Sequence, residues 1–286
     1  MRCSGFLLGL LLLSITLPAQ RLHVGLFGGL SAYNGDLTDR ILPKNETKGA
    51  LGITLNYELT DHWMLRGGFT YASVGGADRY GHDPVLVARN LDFSTRIAEF
   101  SAIGEYYFFN LYDHRYSPYI FGGLAIFHYN PYTYFNGNKV YLKPLSTEGE
   151  GLAAYPQRRP YPLTQPALPF GAGIKLVLSD RVRVGIEVGV RKLFTDYLDD
   201  VSTVYADPAD LLAAKGQMSV DLSYRGDELP GGSQAYPTKG NTRGGDRYKD
   251  TYYFSGIHLT YRLGSSSNLR LWGGRNRRLD CPYVPL

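Results

Sequence analysis

The sequence predicts an all-β fold: an eight-stranded antiparallel transmembrane β-barrel with long extracellular loops and short periplasmic turns. Three observations predict it. An apolar leader reads as a secretion signal, eight later segments alternate apolar and polar residues, and the connections between them alternate between short and long.

Arg2 supplies the charged start of the leader, residues 5–17 its apolar run, and Leu17-Pro18-Ala19 a small residue ahead of Gln20. Residues 1–19 are therefore expected to be a cleaved signal peptide, since the run is shorter than the ~20 residues of a spanning helix. Cys3 precedes the apolar run, which argues against a lipoprotein. Without Cys3, Cys281 has no partner for an intramolecular disulfide. No later segment holds 18 consecutive apolar residues, so helical membrane spans are excluded. Twenty-four tyrosines and 34 glycines suit aromatic girdles and close strand approach. The formal charge of +4 includes Arg2 and is too small and dispersed to argue for nucleic acid.

The first strand is expected over 22–33. The second contains Leu51, Ile53, Leu55, Tyr57 and Leu59 alternating with Ala50, Gly52, Thr54, Asn56 and Glu58. Further strands are expected at 63–73, 93–109, 116–129 and 165–178. In 182–193, Val182, Val184, Ile186, Val188 and Val190 alternate with Arg183, Gly185, Glu187, Gly189 and Arg191. A helix would scatter these β-branched residues around its circumference. The last strand is expected over 251–263, which makes the even number of a bacterial barrel.

Residues 60–62, 110–115 and 179–181 make short connections and the others are long, which places both termini in the periplasm and the barrel in the outer membrane. With apolar faces toward lipid, Glu58, Arg66, Glu99, Glu105, Lys175, Arg183, Glu187, Arg191 and Arg262 point inward. An eight-stranded interior is filled by side chains, so these charges predict a paired plug in place of a pore. Tyr57, Trp63, Tyr106, Tyr116 and Tyr261 near the turns, and Tyr33, Tyr71 and Tyr129 toward the loops, are expected to form interface belts against outer-membrane lipids.

Of the long loops, 131–164 is rich in Tyr, Pro and Gly, and 195–250 ends in a Gly/Ser/Asn/Arg-rich half. Asp207-Pro208 opens a short helix that Gly216 closes. Asp196, Asp199 and Asp200 are candidate hard-oxygen ligands for calcium at the cell surface, although their spacing is not an EF-hand's. The histidines lack metal-binding spacing, there is no G-x-S-x-G elbow, and no cofactor or catalytic residue is indicated. His128, near the outer rim, is the residue a lipid A-modifying enzyme reading would rest on. The tail, 264–286, is basic through Arg270, Arg275, Arg277 and Arg278, which are candidate contacts for a periplasmic partner.

Several stretches together resemble the PorG-like outer-membrane barrels of the type IX secretion system of Bacteroidetes. They are Arg89-Asn90-Leu91-Asp92-Phe93, Ser117-Pro118-Tyr119-Ile120-Phe121-Gly122-Gly123, Pro144-Leu145-Ser146-Thr147-Glu148-Gly149, Leu163-Thr164-Gln165, Pro169-Phe170-Gly171-Ala172-Gly173 and the most specific, Arg191-Lys192-Leu193-Phe194-Thr195-Asp196-Tyr197-Leu198-Asp199-Asp200-Val201-Ser202. The resemblance spans about 22–263. It implies a non-enzymatic component of protein secretion that links a periplasmic ring, a lipoprotein and its partner, to the outer membrane. A lipid A-modifying enzyme and a surface ligand-binding or adhesion barrel are the alternatives.

Overall fold

Strict alternation of apolar and polar residues has a stable solution in lipid when every strand edge is paired and the sheet closes on itself. The computed structural model describes residues 21–38, 46–245 and 249–263; the expected leader at 1–19 and the tail with Arg270, Arg275, Arg277 and Arg278 lie outside the described residues. Its strands are β1 (Leu22–Asn34), β2 (Lys48–Glu58), β3 (Trp63–Ala77), β4 (Asp92–Tyr107), β5 (Tyr116–His128), β6 (Tyr132–Phe135), β7 (Asn138–Tyr141), β8 (Thr164–Val177), β9 (Val182–Leu193) and β10 (Thr251–Arg262). All but β6 and β7 form the wall, each antiparallel to its neighbours, and β10 returns to β1 with Phe27 opposite His258. Wall strands of 11 to 16 residues, rising ~3.3 Å per residue at a tilt of about 40°, span roughly 30 Å and so cross the apolar band.

The two faces are sorted as an outer-membrane barrel requires. On β2, Leu51, Ile53 and Leu55 are 71%, 61% and 52% exposed, while the charged residues assigned inward from sequence are all buried. A barrel dissolved in water carries the opposite arrangement. The exterior is therefore built for hydrocarbon, and the protein is an outer-membrane barrel.

The seam shows why glycine is abundant. Gly29 stands opposite Gly256, and a Cβ on Gly29 would lie 2.2 Å from the Ser255 carbonyl oxygen. The strands close only without that carbon. Short turns are held by their own side chains: Thr60 Oγ1 accepts from the Trp63 amide at 3.0 Å, Ser179 Oγ from Val182 at 3.1 Å, and Asn110 Oδ1 from Tyr112 at 2.9 Å.

Two residues depart from their sequence assignment. Tyr33 and Tyr129, expected in the outer belt, are fully buried, because Tyr33 shares the inward parity of Phe27 and Tyr129 that of Phe127. Between the long strands, the loops carry more structure than punctuation alone indicated. Helix α1 (Pro84–Arg89) starts on Asp83, α2 (Pro208–Lys215) starts on Asp207 as expected, and α3 (Gln217–Ser223) follows it directly. Strands β6 and β7 form a hairpin whose turn residues Asn136 and Gly137 both have positive φ, the geometry that Asn-Gly favours.

Candidate functional site

Inside the wall the charges are stacked in tiers. Nearest the short turns, Glu58 receives Arg183 at 2.6 Å, Arg262 at 3.0 Å and His23 at 3.1 Å, with Tyr112 also donating to it. At mid-height Arg66 bridges Glu187 at 2.8 Å and Glu105 at 3.0 Å, and Tyr119 donates to Glu187 at 2.6 Å. Lys175 completes this tier, 3.7 Å from Glu105. Above it Arg191 faces Glu99 at 3.3 Å, and Tyr252 donates to the same carboxylate at 2.6 Å. Phe27, Phe127, Tyr129 and Phe254 then make an aromatic floor for the loops.

One trio in the middle tier has metal-site proximity: ligand atoms of Glu105, Glu187 and His258 all lie within 4.8 Å of one another. The protein's own cations occupy that ground. His258 Nδ1 receives Arg66 at 3.2 Å and Lys175 at 3.4 Å, which leaves Nε2 to donate to Thr54 at 2.8 Å. The tier is thus a self-neutralised plug. Enclosed spaces beside Tyr112 and beside Arg243 hold about 10 Å³ each, about one water apiece.

The long loops close the far end. Their hub is Arg243, buried, whose guanidinium donates to Glu148 at 3.0 Å, to the Asp200 carbonyl at 2.8 Å and to the Ser223 carbonyl at 3.0 Å. Glu148 in turn accepts from the amides of Ser202 and Thr203 at 2.9 and 3.0 Å, tying loop 129–163 to loop 194–250. Arg89 grips Asp78 and the Arg243 carbonyl, which adds the third loop. Asp36 accepts from the Gly245 amide at 3.0 Å, which brings in the first. Stretches distant in sequence, around Arg89, Thr147 and Asp199, meet in one cap.

The three candidate aspartates are part of this cap, not a surface rim. Asp199 accepts from Tyr33 at 2.5 Å, Asp200 from Tyr161 at 2.5 Å and Thr147 at 2.7 Å, and Asp196 from Ser202 at 2.8 Å. All three are buried, and among the described residues they do not share a ligand position. Each accepts from a hydroxyl, and Asp196 also faces Lys249 at 3.8 Å, so all three acids are satisfied inside the loops. Sequence reasoning singled out Glu148 only as part of an acidic turn and a resemblance stretch, and missed Arg243 and Asp250; Asp250 accepts from the Leu198 amide at 2.9 Å and shares the Tyr33 hydroxyl with Asp199.

Among the described residues, buried acids outnumber buried cations in the cap, and their protonation follows. Burial, and then the charge of Asp250, raises Asp199 well above the usual carboxylate range, and burial with Asp196 nearby does the same to Asp250. Burial pushes Asp200 up to about 6 against the pull of Arg243, and Asp196 up to about 6. Burial, then the charges of Asp200 and Glu148, pushes Glu150 up to about 8. Because the folded cap holds protons that an opened loop releases near pH 4, its stability is greatest in acid and falls as pH rises from ~4 through 8. We expect amide exchange of residues 195–245, corrected for its intrinsic pH dependence, to be faster at pH 8.5 than at pH 5. Equal protection at both values would contradict this account of the cap.

A family model described as Domain of unknown function (DUF6089) matches residues 3–211. A search of curated proteins finds no match. Among solved structures, the chain is similar to neisserial surface protein A (8% identity, 84% of this chain and 96% of that one, TM-score 0.41). It is similar also to OprG from Pseudomonas aeruginosa (10%, 85% and 97%, 0.40). A third is Ail, the attachment invasion locus protein of Yersinia pestis, in complex with the heparin analogue sucrose octasulfate (10%, 84% and 98%, 0.39).

Proposed function

The chain belongs to the DUF6089 family, and on the plugged geometry of its barrel we propose that it is a non-enzymatic outer-membrane component of a protein secretion machine of the type IX class. The carrying observation is the interior: tiers of buried ion pairs and an aromatic floor fill the wall, and a hydrogen-bonded cap covers one end. A barrel filled in this way works through its surfaces. The resemblance to PorG-like barrels supports the finer reading, since the stretches that carry it supply Arg89, Thr147, Glu148, Asp199 and Asp200 to the cap.

In this reading both termini and the short turns face the periplasm. The barrel anchors a periplasmic ring of a lipoprotein and its partner, and the basic tail is the contact. Deleting the gene is expected to abolish export of cargo carrying C-terminal sorting domains, measured in the culture medium. A photo-cross-linker at Arg275 is expected to capture a ring protein. Normal export in the deletion strain would end this reading.

A further inference from the structure

Charge on the outer face of the wall is one-sided. Among outward residues of the eight wall strands, Arg96 of β4 and Lys192 of β9 are exposed cations, and both lie toward the loop-bearing end. The acids Glu58, Glu99, Glu105 and Glu187 all point inward, and Asp92, at the first position of β4, is taken up by Arg225 of the cap. The apolar band therefore ends, at its loop side, in positive charge alone.

Around Arg96 the register assembles more. Phe100, four residues nearer mid-barrel on the same face, packs against Phe69 at 4.7 Å and belongs to the lipid band. At ~3.3 Å per residue and a tilt of about 40°, Arg96 stands about 10 Å further along the barrel axis than Phe100. It is about 25 Å from Tyr106, the turn-side belt residue on the same face that pairs with Trp63, so it lies where the apolar band ends. His128, the last residue of β5, pairs with Ala98 and so flanks Arg96 on the outer face. Ser94 pairs with Tyr132, which puts the outer face of the β6–β7 hairpin in continuity with Arg96. That face carries Lys139, whose ammonium lies 3.7 Å from the Tyr132 ring and 4.7 Å from that of Tyr141, with Tyr134 exposed beside them. The Arg96 guanidinium has no side-chain partner among the described residues.

We propose that Arg96, His128 and Lys139, with the tyrosines of the hairpin, bind the phosphorylated sugar head group of an outer-leaflet glycolipid. A guanidinium fork and an ammonium suit phosphate oxygens, tyrosine rings suit the apolar face of a sugar, and the acyl chains continue down the band past Phe100 and Ile126. The proposal rests on the loop-bearing end facing outward, and it does not depend on a role in secretion.

The test uses the purified full-length mature protein in detergent micelles, titrated with phosphorylated lipid A or its dephosphorylated form and read by native mass spectrometry. The expected result is at least ~10-fold tighter retention of the phosphorylated lipid, a difference of about 1.4 kcal/mol. The double variant Arg96→Gln, Lys139→Gln is expected to lose that preference while still migrating as a folded barrel. Equal retention of the two lipids, an unchanged preference in the variant, or competition by inorganic phosphate at the lipid's own concentration would overturn it. Orientation is read separately: Asn138→Cys in a Cys281→Ser background is expected to react with a membrane-impermeant maleimide on intact cells, and no labelling would overturn the outer-leaflet assignment. Failure in micelles leaves the secretion reading standing, and normal export in a deletion strain leaves the binding result standing.

Discussion

Replacing Arg66 with Met is expected to lower the unfolding free energy of the barrel by about 3–5 kcal/mol, read from the urea midpoint of its heat-modifiable band in micelles. Arg66 is the cation between Glu105 and Glu187, and its removal strands carboxylates that are fully buried or nearly so. Lys175 is 3.7 Å from Glu105 and does not reach Glu187 as an ion pair. Adding Glu187→Gln is expected to recover part of the loss, because a neutral amide still accepts from Tyr119 without an uncompensated charge. A single variant within ~1 kcal/mol of the parent would mean that water enters the tier and screens it, and the plug account would fall.

The second large effect is confined to the cap. In Arg243→Met, Glu148 loses its buried partner and the Asp200 and Ser223 carbonyls lose their donor, at a cost of about 3–5 kcal/mol to loop closure. Limited proteolysis within residues 195–245 should then speed at least tenfold while the urea midpoint of the wall stays put. Arg243→Lys should rescue only in part, since one ammonium cannot reproduce contacts made by a planar fork from both Nε and Nη1. Coincident loss of wall and cap would show that the two do not form separate cooperative units.

The wall was legible because its code is local. In residues 182–193 a period of two assigns every side chain to lipid or interior without knowledge of any partner strand, and the same parity located the buried charges from Glu58 to Arg262. The Asp-Pro start of α2 was equally readable, and the same signal at Asp83-Pro84 and the Asn136-Gly137 turn were available for α1 and the hairpin. Arg243 was not. It sits in a Gly/Ser/Asn/Arg-rich stretch without period, and nothing in its neighbours announces that Glu148, 95 residues away, is its partner.

The sequence by itself thus determined an outer-membrane barrel with alternating connections and a charged, filled interior, because lipid imposes a rule that each residue obeys in its own strand. Tertiary structure alone decided which charges pair and that the long loops form a buried cap. It gave Tyr33, which strand parity already points inward, its partners Asp199 and Asp250, and made Asp196, Asp199 and Asp200 members of that cap. Those outcomes depend on contacts between chain segments far apart in sequence, which closure of the barrel brings together and no local pattern encodes.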